Sequence, residues 1–550
     1  MREHEQATGA LGRATAPRSA QERMMARFGA TLVAMCLRIG LSFFSGVLIA
    51  RGLGASGYGD LSFLLGSFMA VMQLLEMGTS SAFYTFISQR PQGRSFFVLY
   101  GGWLALQFTV IILLAGLALP DEVMKRIWLG HDRGSVVLAF AANFLTGHVW
   151  VAVSQLGEAR RKTVIVQCGM VLLAGLHLVL IAAAVWWKIL TVHVVLWCMT
   201  IEYLPLIAIL GPILLQHNVA PDDEGYQTIV GRFVTYCKPL ILFGVVGFAY
   251  TFFDRWFLQR FGGAQQQGFF ATSQQFATVS VLITTSVLQI FGKEIAEARQ
   301  AGRTEQVKHL YQRVAQGCWC ISAAVSCLLI PHSRDILVFL LGPGYEGAWL
   351  SLTCMLFFPI LQSLGQINGM FFYATEQTDI YSRLGILAMV LGIPLTYLLL
   401  APVHGAVPGF GLGALGLSLK AVLLACCSVG MQAYVIARTL RLPRRWVLSL
   451  GSVILALLSL SYSSKWLVER ALQLLTLHAH PVLLWGCSAI VYGLGVAALI
   501  LMKPSALGLE RVQITELMQL PRTIWTALTG RTESSKRPWA DGRMAISTEH

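Results

Sequence analysis

Apolar residues run along this chain in continuous stretches of about twenty, separated by short polar or glycine- and proline-rich breaks. The runs show no alternation of period two, so they predict helices rather than strands. About twenty apolar residues cross the hydrocarbon core of a bilayer, and helices are the spanning form such runs allow. Fourteen runs satisfy this, at 28–50, 58–82, 95–119, 135–157, 163–187, 189–215, 229–252, 267–291, 312–331, 347–373, 381–402, 408–437, 446–464 and 481–502. The expected fold class is an all-α polytopic membrane protein with about fourteen transmembrane helices.

The breaks suggest an organisation. Residues 1–27 form a basic cytoplasmic tail, 28–215 an N-lobe of spans 1–6, and 216–228 an inter-lobe linker. Residues 229–437 form a C-lobe of spans 7–12, 446–502 hold spans 13 and 14, and 503–550 a cytoplasmic C-tail. The basic stretch Lys293 to Arg313 reads either as an amphipathic surface helix or as a solvated loop.

Charge orients this array. An even number of spans puts both termini on one side, and 28 of the 41 Lys and Arg then fall on the N-terminal side. The positive-inside rule makes that side cytoplasmic, which predicts a multi-pass protein of the inner (plasma) membrane. Only 12% of residues are charged, against about 25% in soluble domains, and 55% are hydrophobic. That balance excludes disorder and argues against a soluble enzyme. The net charge of +14 reads as loop orientation plus basic groups inside spans, not as nucleic-acid binding. Most of the 11 cysteines sit in apolar runs as small hydrophobes. Cys318-Trp-Cys320 lacks a second pair and His478-Ala-His480 stands alone, so no metal site is expected. No P-loop or other catalytic signature appears, so neither an enzyme nor a cofactor is expected.

An internal repeat is visible. Arg51-Gly-Leu-Gly54-Ala55-Ser-Gly-Tyr-Gly59 follows the first span, and Arg260-Phe-Gly-Gly263-Ala264-Gln-Gln-Gln-Gly268 follows the seventh. At an offset of 209 residues the two match in Arg, Gly, Ala and Gly. Two parallel six-span halves, with substrate between them, are a known transporter plan.

At these residues the chain resembles the bacterial polysaccharide flippases of the multidrug/oligosaccharidyl-lipid/polysaccharide exporter (MOP) superfamily. The run Ala50 to Phe63 is similar to their first outer turn, and Leu75-Glu76-Met-Gly78-Thr-Ser-Ser-Ala82 to their second-helix end. Asp254-Arg255 with Phe261-Gly-Gly-Ala264, and Leu341-Gly-Pro-Gly-Tyr345-Glu-Gly-Ala348, extend the likeness over roughly 28–440. The chain departs from the pattern at Phe291-Gly-Lys-Glu, where the family often carries a proline. The resemblance implies a V-shaped, two-lobe transporter working by alternating access. Its substrate would be an undecaprenyl-pyrophosphate-linked oligosaccharide, moved from the inner to the outer leaflet. It also implies polymerase and chain-length partners in the membrane.

Charged side chains within spans normally face a partner or a wet cavity. Arg38 either holds a phosphate bidentately or pairs internally with Glu76 or Glu202. Lys238, before Pro239, either meets an entering pyrophosphate or snorkels to the interface, and Arg232 nearby suits both. Lys420, in mid-span, would complete a cationic cavity with these two. Glu202, and less so Glu76, are candidate coupling carboxylates or structural partners of a span base. Asp254-Arg255 would latch an outer gate through Arg51 or Arg260, or simply cap the interface. Gln362 and Gln366, four apart on one helix face, suit sugar hydroxyls or interhelical hydrogen bonds, as do Gln274, Gln275 and Asn368. Pro239, Pro359 and Pro394 are candidate hinges.

The leading reading is thus a flippase for a lipid-linked glycan precursor. A lipid II flippase and a cation-coupled multidrug exporter of the same superfamily are the alternatives. A glycan polymerase or ligase would usually carry a larger outer loop than any here, and a non-transporting scaffold would be favoured if alanine at Arg38 and Lys420 left the phenotype unchanged.

Overall fold

The computed structural model describes residues 18–215, 221, 224–278, 282–405, 407–474 and 481–502. Most of the expected inter-lobe linker, the His478/His480 pair and the C-tail from 503 lie outside the described residues. All regular structure is helical.

Helix α1 spans Arg18–Glu76, and one residue inside it, Gly54, leaves helical geometry at φ 69°, ψ 175°. A short helix, Thr79–Gln89, leads to α2 (Arg94–Leu113), α3 (Arg133–Phe144), α4 (Trp150–Ala159), α5 (Thr163–Trp186) and α6 (Val192–Leu215). The second half repeats the plan. Helices α7 (Tyr226–Cys237) and α8 (Ile241–Phe257) lead through a π-turn, Leu258–Gly262, to α9 (Gly263–Thr278), which opens on Gly263 at φ 78°, ψ 178°. Then come α10 (Leu282–Gln300), α11 (Thr304–Leu329), α12 (Phe358–Ala374), α13 (Thr378–Leu400) and α14 (Gly413–Thr439). The chain adds α15 (Arg444–Leu474) and α16 (Pro481–Met502).

Among the described residues twelve helical segments are long and apolar enough to cross a membrane, so this is a multi-pass membrane protein. The sequence pattern counts fourteen. The difference arises where two pairs of apolar runs join: Val33–Glu76 is one segment of 44 residues, and Tyr226–Thr278 one of 53. A single left-handed glycine bends each segment without interposing a loop, because glycine reaches positive φ at no steric cost.

These glycine bends are the two copies of the repeat, and they meet. A side chain on Gly59 would run into the carbonyl oxygen of Ala264, and one on Gly268 into that of Ala55. The contact is reciprocal between equivalent positions, as a two-fold axis requires. Tyr345 Oη donates to the Ala50 carbonyl at 2.8 Å across the same seam. Val47, Ala50, Ala55, Leu258, Phe269 and Phe270 pack around it as one buried cluster. We call this end the kink face. The opposite end, which carries Arg90, Arg160 and Arg232, is the basic face.

Each half has its own core. Phe63, Phe68, Phe83, Phe96 and Phe140 fill the first. Phe291, Tyr311, Trp319, Phe371 and Phe372 fill the second, where Leu457 of α15 and Tyr492 of α16 dock. Two local expectations change. The stretch Lys293–Arg313 is not one surface helix: Gly302, at φ 68°, turns the chain between α10 and α11. Helix α15 also runs ten residues past the expected end of its span. Lys465 there donates to the Pro331 carbonyl at 2.8 Å and pairs with Asp335 at 3.3 Å, which holds the added turns against the C-lobe.

Candidate functional site

The first polar constellation lies inside the N-lobe. Glu202, on α6, is 4% exposed. It does not pair with Arg38. His177 of α5 instead places Nδ1 3.0 Å from both carboxylate oxygens. Arg38 of α1 lines the same cavity, of about 150 Å³, with Ser42, Met170, His177, Glu202 and Tyr203. Its buried Nε has no hydrogen-bond partner, and Arg38 forms no ion pair among the described residues. A guanidinium held in a polar cavity, with donors unused, is suited to an oxyanion. The carboxylate nearby already has the imidazole of His177 as its hydrogen-bond partner.

The second constellation lies in the C-lobe. Lys420 is not a free cation of a central cavity: its side chain is 1% exposed, and Nζ lies 2.5 Å from Asp254 Oδ2. Thr396 donates to the other carboxylate oxygen at 2.7 Å. The ammonium also sits 3.6 Å from the centre of the Tyr250 ring. Nor is Lys420 in mid-span. It is seven residues from the start of α14, about 10 Å along the helix from the kink-face end. Three helices, α8, α13 and α14, thus close on one charge cluster. A buried charge persists only where such partners exist.

Arg255 turns away from this cluster toward the seam. It donates to Gln274 Oε1 at 2.9 Å and lies 5.2 Å from the Phe270 ring. A Cβ on Gly66 would sit 3.0 Å from its Nε, so the guanidinium packs on α1 of the opposite lobe. The expected latch through Arg51 or Arg260 does not form; neither makes an ion pair among the described residues. The seam is closed by other groups. Tyr58 donates to Gln275 Oε1 at 2.9 Å, and Gln259 donates to Asp60 Oδ1 at 3.1 Å. His131, in the loop before α3, reaches the same Asp60 oxygen at 3.2 Å. Burial is the largest single influence on the His131 pKa and lowers it, but the hydrogen bonds to Asp60 and the Trp128 carbonyl, with the charges of Asp60 and Asp132, together outweigh burial and hold it above the ordinary histidine value.

At the basic face, Lys238 is exposed on a 3-10 turn, Lys238–Leu240, which Pro239 imposes between α7 and α8. Arg232 pairs with Glu224 at 2.7 Å, and Arg90 takes the other oxygen. The Arg90 hydrogen bond, with that of Arg232, holds the Glu224 carboxyl below its ordinary value. This bridge ties the N-lobe to α7 at the basic face. Glu76 is half-buried at the end of α1.

Gln362 and Gln366 are half-buried on α12. Asn368 is glue: it accepts from Tyr311 Oη at 2.7 Å and donates to the Val429 carbonyl at 3.4 Å. Among the cations expected to converge, Arg38 faces the N-lobe cavity, Lys238 is exposed and Lys420 is sealed. Sequence reasoning missed His177, Thr396 and Tyr250. The signal for His177 was there, as a titratable residue inside the apolar run 163–187.

No protein-family profile matches the chain, and no curated protein matches it. Solved structures do. The lipid II flippase MurJ, in an inward closed conformation, superimposes with a TM-score of 0.63 at 13% identity, over 86% of this chain and 98% of that one. An inward-facing multidrug resistance MATE transporter of the MOP superfamily gives 0.55 at 14% identity, over 75% and 99%. A MOP superfamily transporter from Pyrococcus furiosus gives 0.51 at 14% identity, over 75% and 95%. The fold of this chain, two glycine-seamed helical lobes with an added helix pair, is that of the MOP superfamily transporters.

Proposed function

We propose that this protein flips a lipid-linked oligosaccharide, with an undecaprenyl-pyrophosphate anchor, from the inner to the outer leaflet by alternating access. The observation that carries the reading is Arg38: a cation with unused donors, facing a polar cavity inside a lobe of a MOP-type fold. In this reading each long glycine-bent segment crosses the membrane twice, which gives fourteen crossings with both termini cytoplasmic. The basic face is then cytoplasmic, and the kink face is the closed outer gate. Lys238 meets the pyrophosphate at the cytoplasmic rim and passes it to Arg38. Gln362 and Gln366 serve sugar hydroxyls, and opening of the Gly59/Gly268 seam releases the head group outward. Lys420 has a structural part here, through Asp254. Glu202, with His177, is the candidate coupling group, and Glu76 the lesser one.

The cation-exporter alternative fares worse. An organic cation needs a free acidic group, yet Glu202 and Asp254 both have basic partners, which leaves only Glu76, at the end of α1, among the candidate span carboxylates. A lipid II substrate is the second reading, and one observation favours it. The likeness to MurJ takes in 86% of this chain, against 75% for the MATE structures.

Mass spectrometry of undecaprenyl-linked sugars in cells lacking the protein tests both. A complete repeat unit should accumulate while surface polymer disappears. Accumulated lipid II would select the second reading, and an unchanged pool would refute both.

A further inference from the structure

A cavity lined mainly by polar side chains lies away from the N-lobe site, where α15 docks on the C-lobe. It measures about 570 Å³, within the range of about 300–1,000 Å³ usual for small-molecule sites. Glu294 of α10, Gln306, His309, Gln312, Arg313 and Gln316 of α11, and Trp446 of α15 line it. Positions 306, 309, 313 and 316 recur at three- and four-residue spacing, so α11 presents them as one stripe along its basic-face end. All of this stripe but Gln316 lies in the stretch Lys293–Arg313, for which the transport reading has no use.

Two features separate this cavity from an ordinary solvated helix face. The first is how charge is distributed. Lys293 and Lys308 are paired with Glu297 at 3.7 Å and Glu305 at 3.5 Å. His309, Arg313 and Glu294, which line the cavity, have no ion-pair partner among the described residues. The second is Trp446. It is only 9% exposed, and its ring packs 5.9 Å from that of Tyr311. Its indole N–H is buried without an acceptor. An interfacial anchor would leave its N–H in the wet head-group layer. A buried indole N–H usually finds a partner, and an unmet one beside a cavity marks a place for a ligand acceptor.

The donor set defines the ligand. A guanidinium, an imidazole and an indole N–H converge on an anion, and the guanidinium fits the oxygens of a phosphate. Amides read hydroxyls as donor and acceptor at once, and Glu294 accepts from hydroxyls only. The geometry points to a binding site for a phosphorylated polyol at the basic-face junction of the C-lobe with the added helix pair. The ligand has two sources, a membrane lipid carrying such a head group or a soluble sugar phosphate, and the site stands independently of the flippase reading.

The test uses the full-length protein in phosphatidylcholine nanodiscs, with and without phosphatidylglycerol. Native mass spectrometry counts retained phosphatidylglycerol, and melting temperature follows titration with uridine diphosphate glucose. One tightly held phosphatidylglycerol per chain supports the site with a lipid ligand, and a saturable shift with the sugar nucleotide supports it with a soluble one. In either arm Arg313→Gln and His309→Gln, both on exposed positions, should weaken binding about tenfold or more. Trp446→Phe, which keeps the ring and removes the N–H, should weaken it by several fold. Neither ligand bound, or binding unchanged in the Arg313→Gln/His309→Gln double variant, overturns the proposal.

Discussion

The two lobes each bury an acid and a base in their spans, and they use them in opposite ways. In the C-lobe Asp254 receives Lys420 and Thr396, with the Tyr250 ring against the ammonium, and the lysine is 1% exposed. In the N-lobe Glu202 receives His177 alone, and Arg38 stays beside them on an open cavity. The C-lobe cluster is saturated and structural. In the N-lobe cluster the Arg38 guanidinium forms no ion pair, and its unused donors are what a phosphate would bind in the proposed function. Partner count, rather than the mere presence of a charge in a span, separates the two roles.

The largest effect should come from breaking the saturated cluster. Lys420→Met leaves the Asp254 carboxylate buried without its cation, at a cost of about 3–5 kcal/mol. Unfolding in detergent should show it, and Lys420→Met/Asp254→Asn should regain most of the loss. Arg38→Met strands no carboxylate, so its stability should change by less than about 1 kcal/mol. Equal losses for the two variants would end the contrast between the lobes.

Next comes the seam that joins them. Valine at Gly59 or Gly268 drives a side chain into a backbone carbonyl of the other lobe. Cysteines placed at Asp60 and Gln259, which touch through Asp60 Oδ1 and Gln259 Nε2, should cross-link readily in the parent and at least severalfold less in either valine variant. Undiminished cross-linking would mean that the glycines do not set the approach.

His177 sharpens the N-lobe half of the comparison. His177→Phe frees Glu202 to take Arg38, so transport should fall about tenfold, the scale of one lost charged hydrogen bond. His177→Phe/Glu202→Gln removes the competitor and should restore much of the rate. No rescue would show that His177 acts through packing instead.

The smallest effect is one of pH at the kink face. The folded His131 pKa stands above its unfolded value. Its contact with Asp60 therefore contributes fully below the unfolded value of about 6.5, and is lost as pH rises through the folded one. Because Asp60 is 37% exposed, the gain is at most about 1 kcal/mol. Resistance to unfolding in detergent should therefore fall slightly as pH rises through the folded His131 value, and His131→Gln should flatten that dependence.

Much of this architecture was legible in the sequence because the bilayer enforces it. Apolar runs of fixed length mark the helices, and the Gly54/Ala55/Gly59 and Gly263/Ala264/Gly268 pattern marks the seam, since only glycine allows those backbones to touch. The pairing of charges was not legible. Lys420 and Asp254 are 166 residues apart, and Glu202 meets His177 from a neighbouring helix at a rotation that periodicity does not set. Arg38 and Glu202 do share a cavity, yet it is His177 that takes the carboxylate. The extension of α15 to Leu474 was hidden for a similar reason. Lys465 looks like a loop residue until Asp335 and the Pro331 carbonyl are seen beside it.

The central claim is that a phosphate-bearing lipid crosses through the cavity that Arg38 lines. Its most direct test is a proteoliposome assay, with the purified protein and a defined undecaprenyl-pyrophosphate oligosaccharide. A membrane-impermeant glycosidase reports which leaflet holds the sugar. The account predicts protein-dependent exposure of the whole labelled pool, slowed at least tenfold by Arg38→Ala in a variant that folds as well as its parent. Translocation at the parental rate in Arg38→Ala would contradict it.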